Sequence, residues 1–242
     1  MLLISARKRF KKLSIIMSEK RIAVRKIVEQ GILPLFYCYS QSVGLDVIRT
    51  LCKAGVRAVE YTNRGVAALE NFTAMKKTLS AEFPDLSLGI GTIKTVEEAE
   101  AFVQAGADFI VAPIVNPAVA AVAQKAGLLW IPGCMTPTEI FQAQQHEAAI
   151  IKLFPAGTLG PGFLNAIRIL FPKQMFIPTG GVEINEDNFR EWFRAGVTAV
   201  GLGSKLISEE VLIDANYDHL YAKTQLAMQI AQKVKNEIYP KS

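Results

Sequence analysis

The chain has 242 residues, half of them apolar, a size that fits one large domain or two small ones. No run approaches the roughly 20 apolar residues of a membrane-spanning helix. The net charge of +5 equals the five basic residues Arg7, Lys8, Arg9, Lys11 and Lys12 of an acid-free stretch at 1–16. The remainder is formally neutral, which removes the case for a basic nucleic-acid surface.

The apolar runs of that stretch are too short for a signal-peptide core. Its basic character suits an organellar presequence, but it is short. The plainer reading is that Met17 is the native start. The expected division is therefore an extension at 1–16, disordered or upstream of the start, and one folded domain at 17–242. Three cysteines, Cys38, Cys52 and Cys134, are odd in number and form no C-x-x-C. They suit a reducing, cytoplasmic setting and argue against a disulfide framework or a zinc site. His146 and His219 share no helical spacing, so a histidine metal site is not expected.

Along the chain, short apolar strands are predicted near 32–37, 57–62, 87–91, 108–112, 129–133, 150–154, 175–179 and 198–202. Helical stretches separate them, for example 96–104 and 185–193. A last helix near 220–236 carries Leu226, Ile230 and Val234 at a spacing of four, read as one face. An Ala-Gly-apolar tripeptide recurs at Ala54-Gly55-Val56, Ala105-Gly106-Ala107, Ala126-Gly127-Leu128 and Ala195-Gly196-Val197. Each copy reads as a glycine helix stop feeding a strand. Strand–helix repeats of this kind indicate a parallel sheet, and eight of them are the count of a (β/α)8 TIM barrel in a single domain. The structural rival, an open doubly wound sheet, lacks a G-x-G-x-x-G after the first strand.

Active sites of such barrels lie at the C-terminal ends of the strands. Strand two reads Ala58-Val59-Glu60-Tyr61-Thr62, and alternation puts Ala58, Glu60 and Thr62 on one face. In the sixth strand Lys152 shares a face with Ile150 and Phe154. A buried ammonium is costly unless it is paired or gives up its proton, and a neutral lysine amine attacks carbonyls to form a Schiff base. If both faces point inward, Glu60 and Lys152 converge, and a carboxylate beside an amine can shuttle protons. The plainer alternatives are a lysine snorkelling to solvent, a buried salt bridge, or Glu60 pointing out between helices. Arg64 is a natural partner for a substrate carboxylate, and Gly89-Ile90-Gly91-Thr92 offers close approach and a hydroxyl donor. Two glycine turns, Pro178-Thr179-Gly180-Gly181 and Gly201-Leu202-Gly203-Ser204, follow strands seven and eight. That is the common phosphate site of this architecture, where backbone N–H groups supply the donors; tight strand–helix packing is the structural alternative.

With Glu60-x-Thr62-x-Arg64, Gly89-x-Gly91-Thr92, Pro132-Gly133, Lys152-Leu153-Phe154-Pro155-Ala156, Pro178-Thr179-Gly180-Gly181 and Gly203-Ser204 in order, the chain resembles the 2-keto-3-deoxy-6-phosphogluconate (KDPG) aldolases. That family includes the 4-hydroxy-2-oxoglutarate (KHG) aldolases. The resemblance runs from about Ile22 to the C-terminus. It implies Lys152 as the Schiff-base lysine, Glu60 as general acid/base, and Arg64 and Thr92 as the residues holding the pyruvate carboxylate. It further implies Thr179 at a position linked to stereochemical discrimination, and Gly180, Gly181, Gly203 and Ser204 in the phosphate-binding turns. A homotrimer acting on a phosphorylated 2-keto sugar acid, with no metal or organic cofactor, is implied too. The chain departs from the family pattern at Leu35-Phe36-Tyr37-Cys38-Tyr39, which carries no charge where some relatives have a basic residue. Further departures are Asn63, in place of an apolar residue, and Ile114-Val115-Asn116. Two rivals follow from the residues alone: a phosphate-metabolite-binding barrel without catalysis, and a metal-dependent lyase, which the two histidines disfavour.

Overall fold

The computed structural model describes residues 19–240. The expectations for 1–16 and for Met17 lie outside them. Helix α1 (19–30) is followed by strand β1 (Ile32–Phe36), after which strands and helices alternate. The order runs α2 (Gln41–Lys53), β2 (Ala58–Thr62), α3 (Ala68–Glu82), β3 (Ser87–Gly91), α4 (Val96–Gln104), β4 (Phe109–Val111) and α5 (Pro117–Ala126). The next strand is broken at Pro132, which cannot donate to a ladder, into β5 (Leu129–Ile131) and β6 (Gly133–Cys134). Then come α6 (Pro137–Gln145), β7 (Ile150–Leu153), α7 (Ala156–Ile167), β8 (Met175–Pro178), α8 (Glu186–Arg194), β9 (Val200–Leu202), α9 (Glu209–Asp214) and α10 (Tyr217–Ile238).

All the pairings are parallel, and the ladder closes on itself. One sheet runs β5-β4-β3-β2-β1-β9 and the other β6-β7-β8. The Pro132 carbonyl, which accepts from the Lys152 N–H at 2.9 Å, joins them on one side, and the Thr179–Gly201 bridge joins them on the other. Counting β5 and β6 as one strand, this is the eight-stranded barrel expected from the repeats. The four Ala-Gly stops also hold: Gly55, Gly106, Gly127 and Gly196 have φ of 109°, 90°, 75° and 98°, the left-handed region that ends helices.

Two apolar clusters follow from strand alternation. Leu33, Ala58, Phe109, Val111, Ile131, Ile150 and Ile177 fill the barrel interior, joined by Ala23 and Ile27 of α1. Helix α1 therefore plugs the N-terminal end of the barrel, and burying Ile27 alone contributes roughly 1.5–3 kcal/mol. The other strand faces, including Val59, Tyr61, Ile151 and Leu153, pack under the surrounding helices. The buried face of the last helix differs from the one its apolar spacing predicts. Leu226 is 49% exposed, and the buried stripe of α10 is Leu220, Thr224, Ala227, Ala231 and Val234. Small side chains decide this face because α10 packs close against the chain at Gly31, where a methyl group would lie 3.0 Å from the Ala231 Cβ.

Candidate active site

Both polar faces point inward. Glu60 rises from β2 above Ala58, and Lys152 rises from β7 above Ile150. The Lys152 Nζ lies 3.6 Å from the Glu60 Oε1. Glu60 is 1% exposed and Lys152 8%, so the pair is almost dry. Neither the snorkelling lysine nor the outward glutamate describes this geometry. The Glu60 Oε1 makes no hydrogen bond among the described residues. It occupies space that exists only because residue 91 is glycine, since a methyl group there would overlap the carboxylate. The Phe154 ring centroid lies 5.4 Å from the Lys152 Nζ and lines the mouth beside it.

Around the pair lies a cavity of about 490 Å³, and every predicted site residue lines it: Glu60, Arg64, Thr92, Lys152, Thr179, Gly180, Gly181, Gly203 and Ser204. Arg64 stands exposed at the rim, immediately after β2. Thr92 has φ of 65°, a left-handed conformation that a β-branched residue adopts at a cost of about 1–3 kcal/mol and that functional sites commonly retain. Hydrogen bonds on either side hold it: the Asn63 N–H donates to the Gly91 carbonyl at 2.8 Å, and the Ile93 N–H to the Val111 carbonyl at 3.2 Å.

At the far wall, Thr179 is buried against Gly201, where a side chain would overlap its hydroxyl. The turn that follows packs on the start of α7, with the Gly157 N–H donating to the Gly180 carbonyl at 2.6 Å. A Cβ on Gly181 would come within 2.7 Å of the Gly157 Cα. Among the described residues, the N–H groups of Gly181 and Ser204 have no backbone acceptor, which leaves these donors available to an anion.

The sequence reading missed Tyr37 and Lys205, which line the same cavity. Lys205 pairs with Glu183 at 2.8 Å and bridges the two glycine turns. Its place next to Ser204 was the available signal. Tyr37 carries a buried hydroxyl with no hydrogen-bond partner among the described residues, and burial is the main cause that raises its pKa.

A larger cavity, about 660 Å³, opens at the opposite end of the barrel between α1 and the strand starts. Of its charged residues, Arg21, Arg25 and Glu147 are exposed and Lys20 is half-buried, and it holds no counterpart of the buried amine–carboxylate pair. Chemistry, not size, picks out the other end. The three cysteines are buried, and burial pushes Cys38 and Cys52 up to about 11 and Cys134 to about 12, which leaves them poor nucleophiles. Among the described residues no three His, Cys, Asp or Glu side chains cluster as a metal site requires, and no helix is long and apolar enough to cross a membrane.

Fold and site together define a (β/α)8 barrel with a buried amine–carboxylate pair and two glycine turns at the C-terminal ends of its strands. Residues 24–223 match the aldolase family described as KDPG and KHG aldolase. The chain is 33% identical over 188 residues to the 2-dehydro-3-deoxy-phosphogluconate aldolase of Treponema pallidum, covering 77% of this chain and 86% of that one. It is also 33% identical over 120 residues to the 2-dehydro-3-deoxy-6-phosphogalactonate aldolase of Escherichia coli, covering 49% of this chain and 58% of that protein. The KDPG aldolase of Legionella pneumophila, solved with pyruvate captured as a covalent carbinolamine, superposes with a TM-score of 0.75 at 26% identity, covering 85% of this chain and 96% of that one. The chain belongs to the KDPG and KHG aldolase family, and is a lyase of the class I type.

Proposed function

We propose that the protein cleaves 2-keto-3-deoxy-6-phosphogluconate to pyruvate and glyceraldehyde 3-phosphate through a Schiff base on Lys152. The observation that carries this reading is the buried Lys152–Glu60 pair, 3.6 Å apart, whose facing carboxylate oxygen makes no hydrogen bond among the described residues. The amine attacks C2 of the keto acid. Glu60 moves protons as the carbinolamine loses water to become an iminium. The C3–C4 bond then breaks, its electron pair passing toward the iminium nitrogen, while Glu60 takes the proton of the C4 hydroxyl and an aldehyde leaves. The remaining enamine is protonated at C3 and hydrolysed to pyruvate, which frees the lysine. Arg64 and Thr92 hold the carboxylate at C1. Thr179 lies toward the hydroxyl-bearing carbon, and the amides of the two glycine turns receive the phosphate.

Borohydride reduction in the presence of pyruvate, followed by peptide mapping, tests the chemistry. A pyruvyl adduct on Lys152 is expected, and its absence in folded protein sinks the proposal. A second reading keeps the lysine and changes the outer half of the substrate to 4-hydroxy-2-oxoglutarate or a related sugar acid such as the phosphogalactonate of the Escherichia coli relative. The uncharged segment Leu35–Tyr39, which ends β1 and follows it, is the observation in its favour. Comparing kcat/KM for phosphorylated and unphosphorylated substrates separates the readings, since a working phosphate site favours the former. We expect a homotrimer, which light scattering would check.

A further inference from the structure

Asn63 and Glu98 lie outside the cavity lining, yet their side chains meet behind the two segments that carry Arg64 and Thr92. The Glu98 carboxylate is shared between loops. Its Oε2 accepts from the N–H of Lys94 at 2.7 Å and of Thr95 at 3.1 Å, which fixes the segment after Thr92. Its Oε1 accepts from the Asn63 side-chain amide at 3.2 Å, which fixes the residue before Arg64. A third loop joins the seam, because the Asn116 side-chain amide donates to the Lys94 carbonyl at 2.9 Å. Part of this is a helix cap: Thr95 and Glu98 form the capping box of α4. The cap is complete without the Oε1 bond, so that bond does something else.

We propose that Asn63 and Glu98 are positioning residues for substrate, which set the spacing between Arg64 and Thr92 and so the fit of the keto-acid carboxylate. The inference rests on the reading that those two residues hold that carboxylate. Arg64 is exposed and has no ion-pair partner among the described residues, so its guanidinium is anchored only through its backbone. That backbone is held from one side by the Asn63 N–H on the Gly91 carbonyl and from the other by the Asn63 side chain on Glu98. Releasing the second tether loosens the arginine without touching Lys152 or Glu60. The effect falls on ground-state binding of the carboxylate and not on carbon–nitrogen chemistry.

The test is Asn63→Leu, which keeps the bulk and removes the donor. The readout is the rate of borohydride trapping at increasing pyruvate, together with the thermal midpoint. The expected result is a half-saturating pyruvate concentration raised about tenfold, from loss of one hydrogen bond to a charged group. The maximal trapping rate stays within about twofold and the midpoint is little changed. Asn63→Ser is read in the same way if the leucine variant does not fold. Arg64→Ala, measured alongside, separates the two layers of the argument. If Arg64→Ala raises the half-saturating concentration and Asn63→Leu leaves it unmoved, the positioning proposal is overturned and the carboxylate reading stands. If Arg64→Ala itself leaves it unmoved, the carboxylate reading falls and takes the proposal with it. A loss confined to the maximal rate of Asn63→Leu also overturns the proposal.

Discussion

Replacing Lys152 by methionine separates the dry pair from a hydrated one. The substitution removes the ammonium 3.6 Å from the Glu60 Oε1 and puts an apolar chain of similar length in its place. What remains is a carboxylate that is 1% exposed, with an oxygen that had no hydrogen bond even in the parent. Removing one partner of a buried ion pair costs about 3–5 kcal/mol, because the survivor keeps its desolvation penalty and loses its compensation. In a chain of this size each kcal/mol moves the thermal midpoint by about 2–4 °C, so a fall of about 6–20 °C is expected. The double variant Lys152→Met with Glu60→Leu replaces both charges by apolar groups and is expected to regain most of that loss, since well-packed apolar pairs equal or exceed buried ion pairs. Calorimetry and urea unfolding of the parent, both single variants and the double variant yield the coupling directly. A Lys152→Met protein as stable as its parent would show that Glu60 is well hydrated, and the desolvated-pair reasoning would be wrong.

Three further outcomes follow. Gly91→Ala puts a methyl group where the Glu60 carboxylate sits; displacing a catalytic group by about 1 Å is expected to lower kcat roughly 10²-fold, and unchanged kcat in a folded variant contradicts the placement of Glu60. Gly181→Ala meets both φ of 93° and the Gly157 Cα; steady-state kinetics are expected to show a fall in kcat/KM for phosphorylated substrate and little change for pyruvate trapping, whereas equal losses in both would argue against an anion site in that turn. Stability is expected to decline in alkali, because burial raises Cys38 and Cys52 from 9.0 to about 11 and Cys134 to about 12. The native state then holds more protons than the unfolded chain, so their contribution is complete below about pH 9 and is lost as pH rises through 11 and 12. Tyr61, raised by burial, acts in the same direction, and Lys235, lowered by burial, acts against it. A thermal midpoint that holds steady or rises between pH 9 and 11 would refute the balance, and Cys134→Ala should flatten the decline.

The barrel was legible because its signals are local and repeated. An Ala-Gly stop needs only a left-handed glycine and a short apolar run after it, and all four copies carry that glycine. Alternation within single strands grouped Glu60 with Ala58 and Thr62, and Lys152 with Ile150, on one face each, while the inward direction of both faces became visible only in the closed barrel. The last helix shows the limit of the same logic. Hydrophobicity favoured Leu226, yet close packing of α10 required the small side chains Ala227 and Ala231 on the buried face. Apolar spacing reports which residues avoid water, but not how near the neighbouring backbone comes.

The site was legible in its types and not in its supports. Lysine, glutamate and two glycine turns at strand ends announce themselves, because a charge or a left-handed turn is out of place in a buried strand. Asn63 and Asn116 give no such signal. In sequence they are departures from a pattern, and departures beside a binding site invite the reading that they touch substrate. In the structure neither lines the cavity. Both donate sideways, Asn63 to Glu98 and Asn116 to the Lys94 carbonyl, across elements separated by 35 and 22 residues. A hydrogen bond between loops has no periodicity and no motif, so it becomes visible only once the barrel has closed. Specificity for the outer part of the substrate is therefore better sought at Tyr37 and Lys205, which face the cavity, than at the two asparagines, whose hydrogen bonds run away from it.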